Sequence, residues 1–401
     1  MSKVLGVRNV PELVELASKL SGGIPEGVFT GGSGAASVKM HYPGTSKTTI
    51  IKLATTDGSG LNNGRRKIIR EAKQIISLKK HYPEQLGPIL PDVLNSWQSN
   101  WYGAIELPFY EGQSFANYLR THTTKETLEQ LTPIVTATIK AYKLSYARST
   151  SNTFLDEKLI ARARFRIRYT KRGDDILQNM LLLKKIVING VAYENPAQII
   201  EKITRDQTVI DSLKSRYLSD CVHGDLNLAN VFLTPYGLRF IDLRGSRQKW
   251  DMFYDLAKMI FTAGYDRICH FEFEPQLEAD GSYTLSYADA NNDVHNKWET
   301  VESSLETIYT HTPEFKQIIE NEPNWRLKLR FMHAVHYIAD AACRVEAGSP
   351  LNQAFASYMM GTIFLNRVFN DLTATTSATA HYGLLLHGVK GSKGAPSGTA
   401  R

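Results

Sequence analysis

The sequence predicts an α+β protein of two lobes, with a small first lobe that is mostly β-structure and a larger second lobe that is mostly helical. Strand-like runs separated by turns gather before residue 112, and helical apolar periods prevail after it. The 401 residues, 42% hydrophobic and 22% charged, are enough for two separate cores. We therefore expect lobes at 1–112 and 113–388, and a disordered Gly/Ser/Lys tail at 389–401.

Composition and charge restrict the class of protein. No apolar run approaches the length of a membrane span, and the first residues show no secretory signal, so we expect a cytoplasmic protein without a membrane partner. Cys221, Cys269 and Cys343 are too far apart for a zinc site or a disulfide framework. Of the net charge of +7, Lys390, Lys393 and Arg401 in the tail account for three, and the remaining +4 suits an enzyme handling phosphates as well as it suits nucleic-acid binding. We expect no nucleic-acid partner.

The first lobe opens with a helical pattern from Val10 to Leu20, followed by a glycine-rich segment. Residues 28–38 join two strand-like runs through Gly31-Gly32-Ser33-Gly34, whose backbone N–H groups could approach phosphates closely. The same residues are equally typical of a flexible turn. The segment is therefore either a nucleotide loop or a plain connection.

One lysine and one glutamate stand out in the next two elements. Lys52 lies inside the β-branched run 48–54, and a charge buried in a strand is costly without a partner. Glu71 is the only acidic residue in the helix predicted for 65–81. The two are either a strand–helix pair or an unrelated surface lysine and helix charge. Two further strands, at 91–100 and 101–109, complete the first lobe.

In the second lobe, helical periods are followed by two stretches of unusual charge. The basic stretch 159–172 contains no acid, and its period fits a strand or a helix; it is either a solvated face or an anion contact for the substrate. The acidic aromatic hairpin predicted for 271–293 either receives a cationic or hydroxylated substrate or only covers the lobe. The predicted helices are at 115–119, 125–148, 253–260, 298–320, 325–346 and 351–372.

The stretch from Cys221 to Gly245 indicates a chemical function. Two short β-prone runs around Pro235-Tyr236-Gly237 predict a hairpin that brings Asn230 close to Asp242. An amide oxygen and a carboxylate, together with nucleotide phosphates, suit Mg²⁺. Asp225 lies nearby and could accept a proton from an attacking hydroxyl. The alternative is a plain hairpin with polar ends.

The stretch from Cys221 to Gly245 resembles the corresponding motifs of a known protein family. The spacing His-Gly-Asp-Leu-x-x-x-Asn from His223 to Asn230, followed by Asp-Leu-Arg-Gly at Asp242, resembles the catalytic and metal loops of the protein-kinase-like fold. Gly224, where protein kinases carry Arg, makes the chain more similar to the aminoglycoside phosphotransferase and choline kinase superfamily, the small-molecule branch of that fold. The resemblance covers residues 28 to 264 by motif, and it implies ATP as phosphoryl donor and Mg²⁺ as cofactor.

The resemblance also implies roles for individual residues. Ser37 replaces a third glycine of the loop, and Pro108 lacks an N–H, so an adenine donor expected there would move to Leu107 or Phe109. Arg244 either contacts a phosphate or anchors its loop. The implied sets are Asp225 and Arg244 for catalysis, Asn230 and Asp242 for the metal, Gly32, Ser33, Gly34, Lys52, Glu71, Glu106, Leu107 and Phe109 for the nucleotide, and His223 and Asp255 for support of the catalytic loop.

The predicted function is an ATP-dependent phosphotransferase that moves the γ-phosphoryl group to a hydroxyl of a small molecule, such as a sugar, an aminoglycoside-like compound or a metabolite alcohol. The helix predicted at Phe253 begins only eight residues beyond Gly245, so the long activation segment of protein kinases is missing. The alternatives are a pseudokinase that acts as a regulatory or scaffold module, and a protein kinase.

Overall fold

The computed structural model describes residues 10–30, 35–55, 64–149, 153–171, 175–245, 248–270, 273–287 and 293–374. Three predicted nucleotide contacts, Gly32, Ser33 and Gly34, lie outside these residues, as does the predicted tail at 389–401.

The first lobe is a five-stranded antiparallel sheet between two helices. The strands follow the order β1-β2-β3-β5-β4. The bounds of its elements are α1 (Val10–Ser21), β1 (Ile24–Thr30), β2 (Ala36–His41), β3 (Thr48–Thr55), α2 (Gly64–His81), α3 (Pro83–Leu86), β4 (Asn95–Gln98) and β5 (Tyr102–Pro108).

Alternation along β3 decides which side chains face which helix. Ile51 and Leu53 pack with α1, whereas Ala54 packs with the apolar face of α2. Because successive side chains of a strand point to opposite faces, Lys52 lies on the same face as Ala54. The strand therefore directs its one lysine toward α2.

The second lobe is mainly helical, and its core lies among the long helices near the C-terminus. Gly361 allows two of them to pack closely, because a Cβ there would lie 2.7 Å from the Ile338 side chain. The helices are α4 (Phe115–Thr121), α5 (Thr124–Lys143), α6 (Ala161–Thr170), α7 (Asp175–Leu182), α8 (Pro196–Arg205), α9 (Gln207–Leu213), α10 (Phe253–His270), α11 (Asp293–His311), α12 (Pro313–Glu320), α13 (Trp325–Ala347) and α14 (Leu351–Thr373).

The second lobe also contains short strands. The predicted catalytic hairpin is present, and its first strand also pairs with residues 113–114. The predicted acidic hairpin joins a second hairpin in one four-stranded sheet. The strands are β6 (Gln113–Ser114), β7 (Ala147–Arg148), β8 (Lys185–Ile188), β9 (Val191–Glu194), β10 (Tyr217–Leu218), β11 (Val231–Thr234), β12 (Gly237–Phe240), β13 (Phe273–Leu277) and β14 (Tyr283–Tyr287).

The predicted α+β fold class is confirmed, because a β-rich first lobe precedes a mainly helical second lobe. The boundaries at residues 112 and 388 stay predictions. In the basic stretch 159–172, for which strand and helix were both open, residues 159–170 are the end of a π-helical stretch (Phe154–Ile160) followed by α6, and Arg172 lies outside the described residues. None of the helices among the described residues is long and apolar enough to cross a membrane.

Candidate active site

A buried aspartate at the start of α10 holds the predicted catalytic loop, residues 223–230, in shape. The Asp255 carboxylate accepts hydrogen bonds from the backbone N–H groups of His223 at 2.7 Å, Gly224 at 2.9 Å and Leu226 at 3.4 Å. The hydroxyl of Tyr142 donates to it at 2.8 Å. These bonds satisfy the donors of a loop that would otherwise be buried unpaired.

His223 and Asn230 join this loop to the catalytic hairpin. The Nε2 of His223 lies 2.8 Å from the carbonyl oxygen of Ile241, and its Nδ1 lies 3.2 Å from the backbone nitrogen of Asp225. These partners assign a neutral ring with the proton on Nε2. Asn230 donates from Nδ2 to the backbone carbonyl of Asp225 at 2.9 Å, which leaves its Oδ1 available to a cation.

Lys52 bridges the two lobes. Its Nζ lies 2.6 Å from Glu71 Oε2 on α2 and 2.5 Å from Asp242 Oδ1, just after β12. Asp242 has a backbone φ of +61°, a conformation that aspartate tolerates better than most residues. Although burial disfavours its charge, the carboxylates of Glu71 and Asp242 raise the pKa of Lys52. Lys52 and Glu71, for which the sequence left open a strand–helix pair, therefore do form an ion pair. Asp242 is a second carboxylate partner of Lys52.

A second lysine, which sequence reasoning missed, lies in the same cleft. The Lys67 Nζ is 3.0 Å from Asp242 Oδ1. Lys67 and Glu71 are four residues apart on α2 and so share one face of the helix, which was the available signal. Although burial opposes ionisation of Asp242, Lys52 and then Lys67 lower the pKa of this carboxyl.

Asp225 is separate from this cluster and is poised as an ionised carboxylate. Its Oδ1 lies 3.5 Å from the Nζ of Lys258 on α10. Burial alone would raise its pKa, but Lys258, followed by Lys67 and Arg244, holds the pKa of Asp225 well below its usual range. Such a carboxylate can orient a hydroxyl and accept its proton.

Arg244 packs against the catalytic loop, and this contact explains Gly224. A Cβ at residue 224 would lie 2.9 Å from the Arg244 Cβ, and the φ of Gly224 is +79°. Arg244 donates its backbone N–H to the carbonyl of His223 at 3.0 Å and its Nη1 to the Gly224 carbonyl at 3.4 Å, and its guanidinium lies over the Trp250 ring. Arg244 therefore anchors the loop, and contact with a phosphate stays a prediction.

Helix α2 is bound directly to the catalytic region by Gln74, another residue that sequence reasoning missed. The Gln74 Nε2 donates to the Val222 carbonyl at 3.2 Å, and its Oε1 accepts from the Gly245 N–H at 2.8 Å. A Cβ at Gly245 would lie 2.5 Å from the backbone nitrogen of Glu71. The helix that supplies Glu71 is thus fixed against the loop that precedes α10.

The nucleotide contacts predicted at Glu106, Leu107 and Phe109 are largely engaged in hydrogen bonds within the sheet. The Glu106 carboxylate is buried and accepts from Tyr42 at 2.6 Å and Asn95 at 2.5 Å, while its carbonyl oxygen accepts from Leu94 at 2.8 Å. Because its oxygens are engaged in this way, Glu106 has a structural role in the sheet. These bonds argue against a contact between Glu106 and the nucleotide.

The adenine donor expected at Leu107 or Phe109 is corrected as well. Phe109 donates its N–H to the Thr48 carbonyl at 3.2 Å, and Leu107 pairs with Ile50. The reason is that β3 runs alongside β5 as far as Phe109. The first backbone N–H beyond this pairing belongs to Tyr110.

The residues available for a metal fit Mg²⁺ only together with a nucleotide. Among the described residues, no group of three His, Cys, Asp or Glu side chains could hold a metal ion. Asn230 offers its Oδ1, and Asp242 is bonded to lysines through Oδ1, which leaves Oδ2. Mg²⁺ is commonly bound by one or two such protein oxygens plus phosphates and water.

The two charged stretches differ in position. In the basic stretch, Arg166 is buried and Arg162 is partly buried, whereas Arg164 points away and bonds to Glu201 at 2.9 Å. In the acidic hairpin, Glu278 is exposed and accepts from Thr284 within the hairpin. The basic stretch therefore contributes to the interior near Arg244, while the acidic hairpin extends a sheet beside α14.

No protein-family model and no curated protein matches the chain. Solved structures resemble it at low identity. A protein assigned as a fructosamine-3-kinase from Haemophilus somnus 129PT is 10% identical with a TM-score of 0.44, and the match covers 90% of this chain and 96% of that one.

Two aminoglycoside phosphotransferases are similar to the same degree. The enzyme from Streptomyces rimosus ATCC10970, in complex with ADP and streptomycin, is 14% identical with a TM-score of 0.43 over 82% of this chain and 99% of that one. An aminoglycoside-3'-phosphotransferase of type VIII is 14% identical with a TM-score of 0.43 over 80% of this chain and 97% of that one.

Proposed function

We propose that the chain is a kinase that transfers the γ-phosphoryl group of ATP to a hydroxyl of a small molecule. The observation that carries this proposal is the Lys52 bridge between Glu71 and Asp242. The Lys52 ammonium group and the Asp242 carboxylate, whose Oδ2 remains available, therefore lie in the same cleft as the ionised Asp225. Phosphoryl transfer depends mainly on such positioning and charge stabilisation.

Asp225 acts on the acceptor. It accepts the proton of the hydroxyl as the hydroxyl oxygen forms a bond to the γ-phosphorus. The bond between that phosphorus and the β,γ-bridging oxygen breaks, and ADP leaves with the electron pair. The low pKa of Asp225, maintained by Lys258 against the effect of burial, keeps the carboxylate ionised at neutral pH.

The nucleotide is bound by the first lobe and the hairpin. Asn230 Oδ1 and the Asp242 carboxylate would hold Mg²⁺, which would neutralise charge on the phosphates when bound. Lys52 contacts the phosphates, and Tyr110 is the proposed donor to adenine. The glycine-rich residues Gly32, Ser33 and Gly34 are proposed to bind the phosphates through their N–H groups.

A small-molecule acceptor is favoured over a protein substrate by the path of the chain after Gly245. Trp250 exchanges backbone hydrogen bonds with Ser219 at 2.8 and 2.9 Å, so the chain returns to the second lobe within five residues. Too little chain remains for an activation segment that docks proteins. A pseudokinase is disfavoured because Lys258 keeps Asp225 ionised, a feature that a scaffold does not require.

The proposal is tested by acceptor-dependent release of ADP. The purified chain with Mg-ATP is screened against sugars, aminoglycosides and metabolite alcohols, and binding of a non-hydrolysable nucleotide is measured by calorimetry. We expect nucleotide binding that requires Mg²⁺ and ADP release with at least one acceptor class. Absence of nucleotide binding would overturn the kinase assignment, and binding without ADP release in a broad screen would favour the pseudokinase.

A further inference from the structure

A pocket of about 690 Å³ opens beside the catalytic loop, a volume in the usual range of ligand sites. Four arginines contribute to its lining: Arg70 of α2 is exposed, and the three inner arginines, Arg162 and Arg166 of α6 and Arg244 after the catalytic hairpin, are buried or partly buried. Phe165 and Trp250 add aromatic surface. The pocket lies next to the reaction site, because Arg244 packs against Gly224, the residue before Asp225.

Among the described residues, none of the three guanidinium groups forms an ion pair with a carboxylate. Arg162 donates to the Tyr254 hydroxyl, and within the described part of the chain its buried Nε has no hydrogen-bond partner. Arg166 is 5% exposed, and its Nη1 lies 3.1 Å from Cys343 Sγ. Arg244 contacts the Gly224 carbonyl and the face of Trp250.

The acidic group in the pocket wall, and those that act electrostatically on the pocket's arginines, are already engaged. Glu157 in the pocket wall lies 3.4 Å from Lys158, Asp225 pairs with Lys258, and Asp340 bonds to Ser357 and Arg344. Burial lowers the pKa of Arg162 most, and the neighbouring guanidinium groups of Arg244 and Arg166 lower it further. Buried charge without a partner is costly, so a fold that gathers three arginines here gains by binding an anion.

We propose that the acceptor carries an anionic oxygen group, a phosphate or a carboxylate, that Arg162, Arg166 and Arg244 bind in this pocket. Planar guanidinium groups recognise both kinds of anion through paired hydrogen bonds. Since Arg244 adjoins the residue before Asp225, an acceptor fixed by its anion presents a hydroxyl to that carboxylate. The inference rests on the proposed kinase function, and it excludes polycationic acceptors such as aminoglycosides.

Binding of simple anions tests the inference without catalysis. Calorimetric titrations use the full chain saturated with a non-hydrolysable Mg-nucleotide, and the probes are inorganic phosphate, a hexose monophosphate, a sugar acid and the neutral hexose. We expect the anionic probes to bind and the neutral hexose to bind at least about tenfold more weakly, the loss of a charge-assisted hydrogen bond. Whichever of the hexose monophosphate and the sugar acid binds more tightly identifies the anion.

Matched variants locate the binding. Arg162→Gln and Arg166→Gln are each expected to weaken the anionic probes by about 10- to 100-fold, the loss of one or two charge-assisted hydrogen bonds. Arg166→Lys keeps the charge without the planar fork and should fall between wild type and Arg166→Gln. Arg164→Gln, on the outer side of the same helix, should bind like wild type. Nucleotide affinity, measured for each variant, confirms that the fold is intact.

Equal anion affinity in wild type, Arg162→Gln and Arg166→Gln would overturn the inference, as would ADP release with neutral or cationic acceptors at a KM that these variants do not change. Either outcome leaves the kinase proposal standing, since that proposal depends on nucleotide binding and ADP release. Failure to bind Mg-nucleotide would instead remove the kinase proposal and this inference together.

Discussion

At the scale of single residues, Asp225 and Asp242 share one cleft but have different lysine partners. Asp225 lies against Lys258, and Asp242 lies against Lys52 and Lys67. The contacts distinguish the carboxylate that we propose faces the acceptor from the one that we propose binds the metal of the nucleotide site. Each can therefore be removed with a different expected result.

Asp225→Asn should lower kcat by about 10²- to 10⁴-fold, the range for a positioned base, and should leave Mg-nucleotide affinity near that of wild type. The side chain keeps its shape but loses its negative charge, and with it both the ability to accept the hydroxyl proton and the ion pair with Lys258. Single-turnover kinetics and nucleotide calorimetry measure the two effects. Loss of nucleotide binding in this variant would contradict the role given to Asp225.

Asp242→Asn should weaken Mg-nucleotide binding as well as turnover, because one anionic metal ligand is lost. It also leaves Lys52 with Glu71 alone and Lys67 without the carboxylate 3.0 Å away. Nucleotide titrations over a range of Mg²⁺ concentrations, compared with those of Asp225→Asn, are the measurement. A variant with unchanged Mg²⁺ dependence would show that Asp242 is not a metal ligand.

The sequence was informative for residues with a fixed spacing and uninformative for residues whose role depends on packing. His223, Asp225, Asn230 and Asp242 lie on one short hairpin and its entrance, so their spacing alone predicts that they meet. Gln74, Lys67 and the arginine pocket instead depend on how α2, α6 and the loop after β12 approach each other. The hydrophobic periodicity of one segment carries no information about how segments distant in the sequence pack together.

At the scale of elements, the docking of α2 on Gly245 depends on a residue without a side chain. Gly245→Ala places a Cβ 2.5 Å from the Glu71 nitrogen at a φ of +72°. We expect a loss of stability of about 1–3 kcal/mol from the strained backbone and a further loss from the displaced helix. Weaker nucleotide binding should follow, because Glu71 moves with the helix.

Gly281 provides the control for this prediction. Its φ of +80° resembles that of Gly245, but no atom of the described residues lies within 4 Å of the point that an added Cβ would occupy. Gly281→Ala should therefore show the backbone strain without the collision. Chemical denaturation and nucleotide titration of both variants separate the two contributions, and equal effects on nucleotide affinity would contradict the docking argument.

Elements with a long regular period were predictable, and those with short or interrupted periods were not. The 18 residues of α2 present a continuous apolar face, and the helix was expected at nearly its observed bounds. The basic stretch remained ambiguous because a π-helical stretch, with i→i+5 bonding, precedes α6 and shifts the period by a residue. The short elements α7 to α9 and the hairpin of β8 and β9 gave too few repeats to identify.

At the scale of the whole molecule, one largely buried acid at the packing of α13 and α14 should make stability depend on pH. Burial raises the pKa of Asp340 to about 6, even though Ser357 donates to it at 2.8 Å. The unfolded chain ionises this group at a lower pH than the folded chain. The folded state is therefore penalised progressively as the pH rises from about 4 to 6, and the penalty stays constant above that range.

Asp340→Asn removes this penalty. Relative to wild type, the variant should gain stability as the pH increases from about 4 to 7, whatever constant amount it loses in hydrogen bonding to Ser357 and Arg344. Urea denaturation of both proteins at about pH 4.5 and about pH 7 measures the difference. A stability difference that is the same at both pH values would show that Asp340 titrates normally in the folded protein.

The side-chain amide of Gln74 connects α2 to the second lobe by hydrogen bonds from both of its polar atoms. The helix also packs so closely on Gly245 that no Cβ would fit there. Kinases that are switched on and off commonly do so by moving this helix, which makes and breaks its glutamate–lysine pair. Here the pair is already made, and moving the helix would leave buried amide groups unpaired. A kinase of the proposed kind, assembled in this way, would not be switched by this helix, so its output would follow the amount of protein in the cell and the supply of its acceptor.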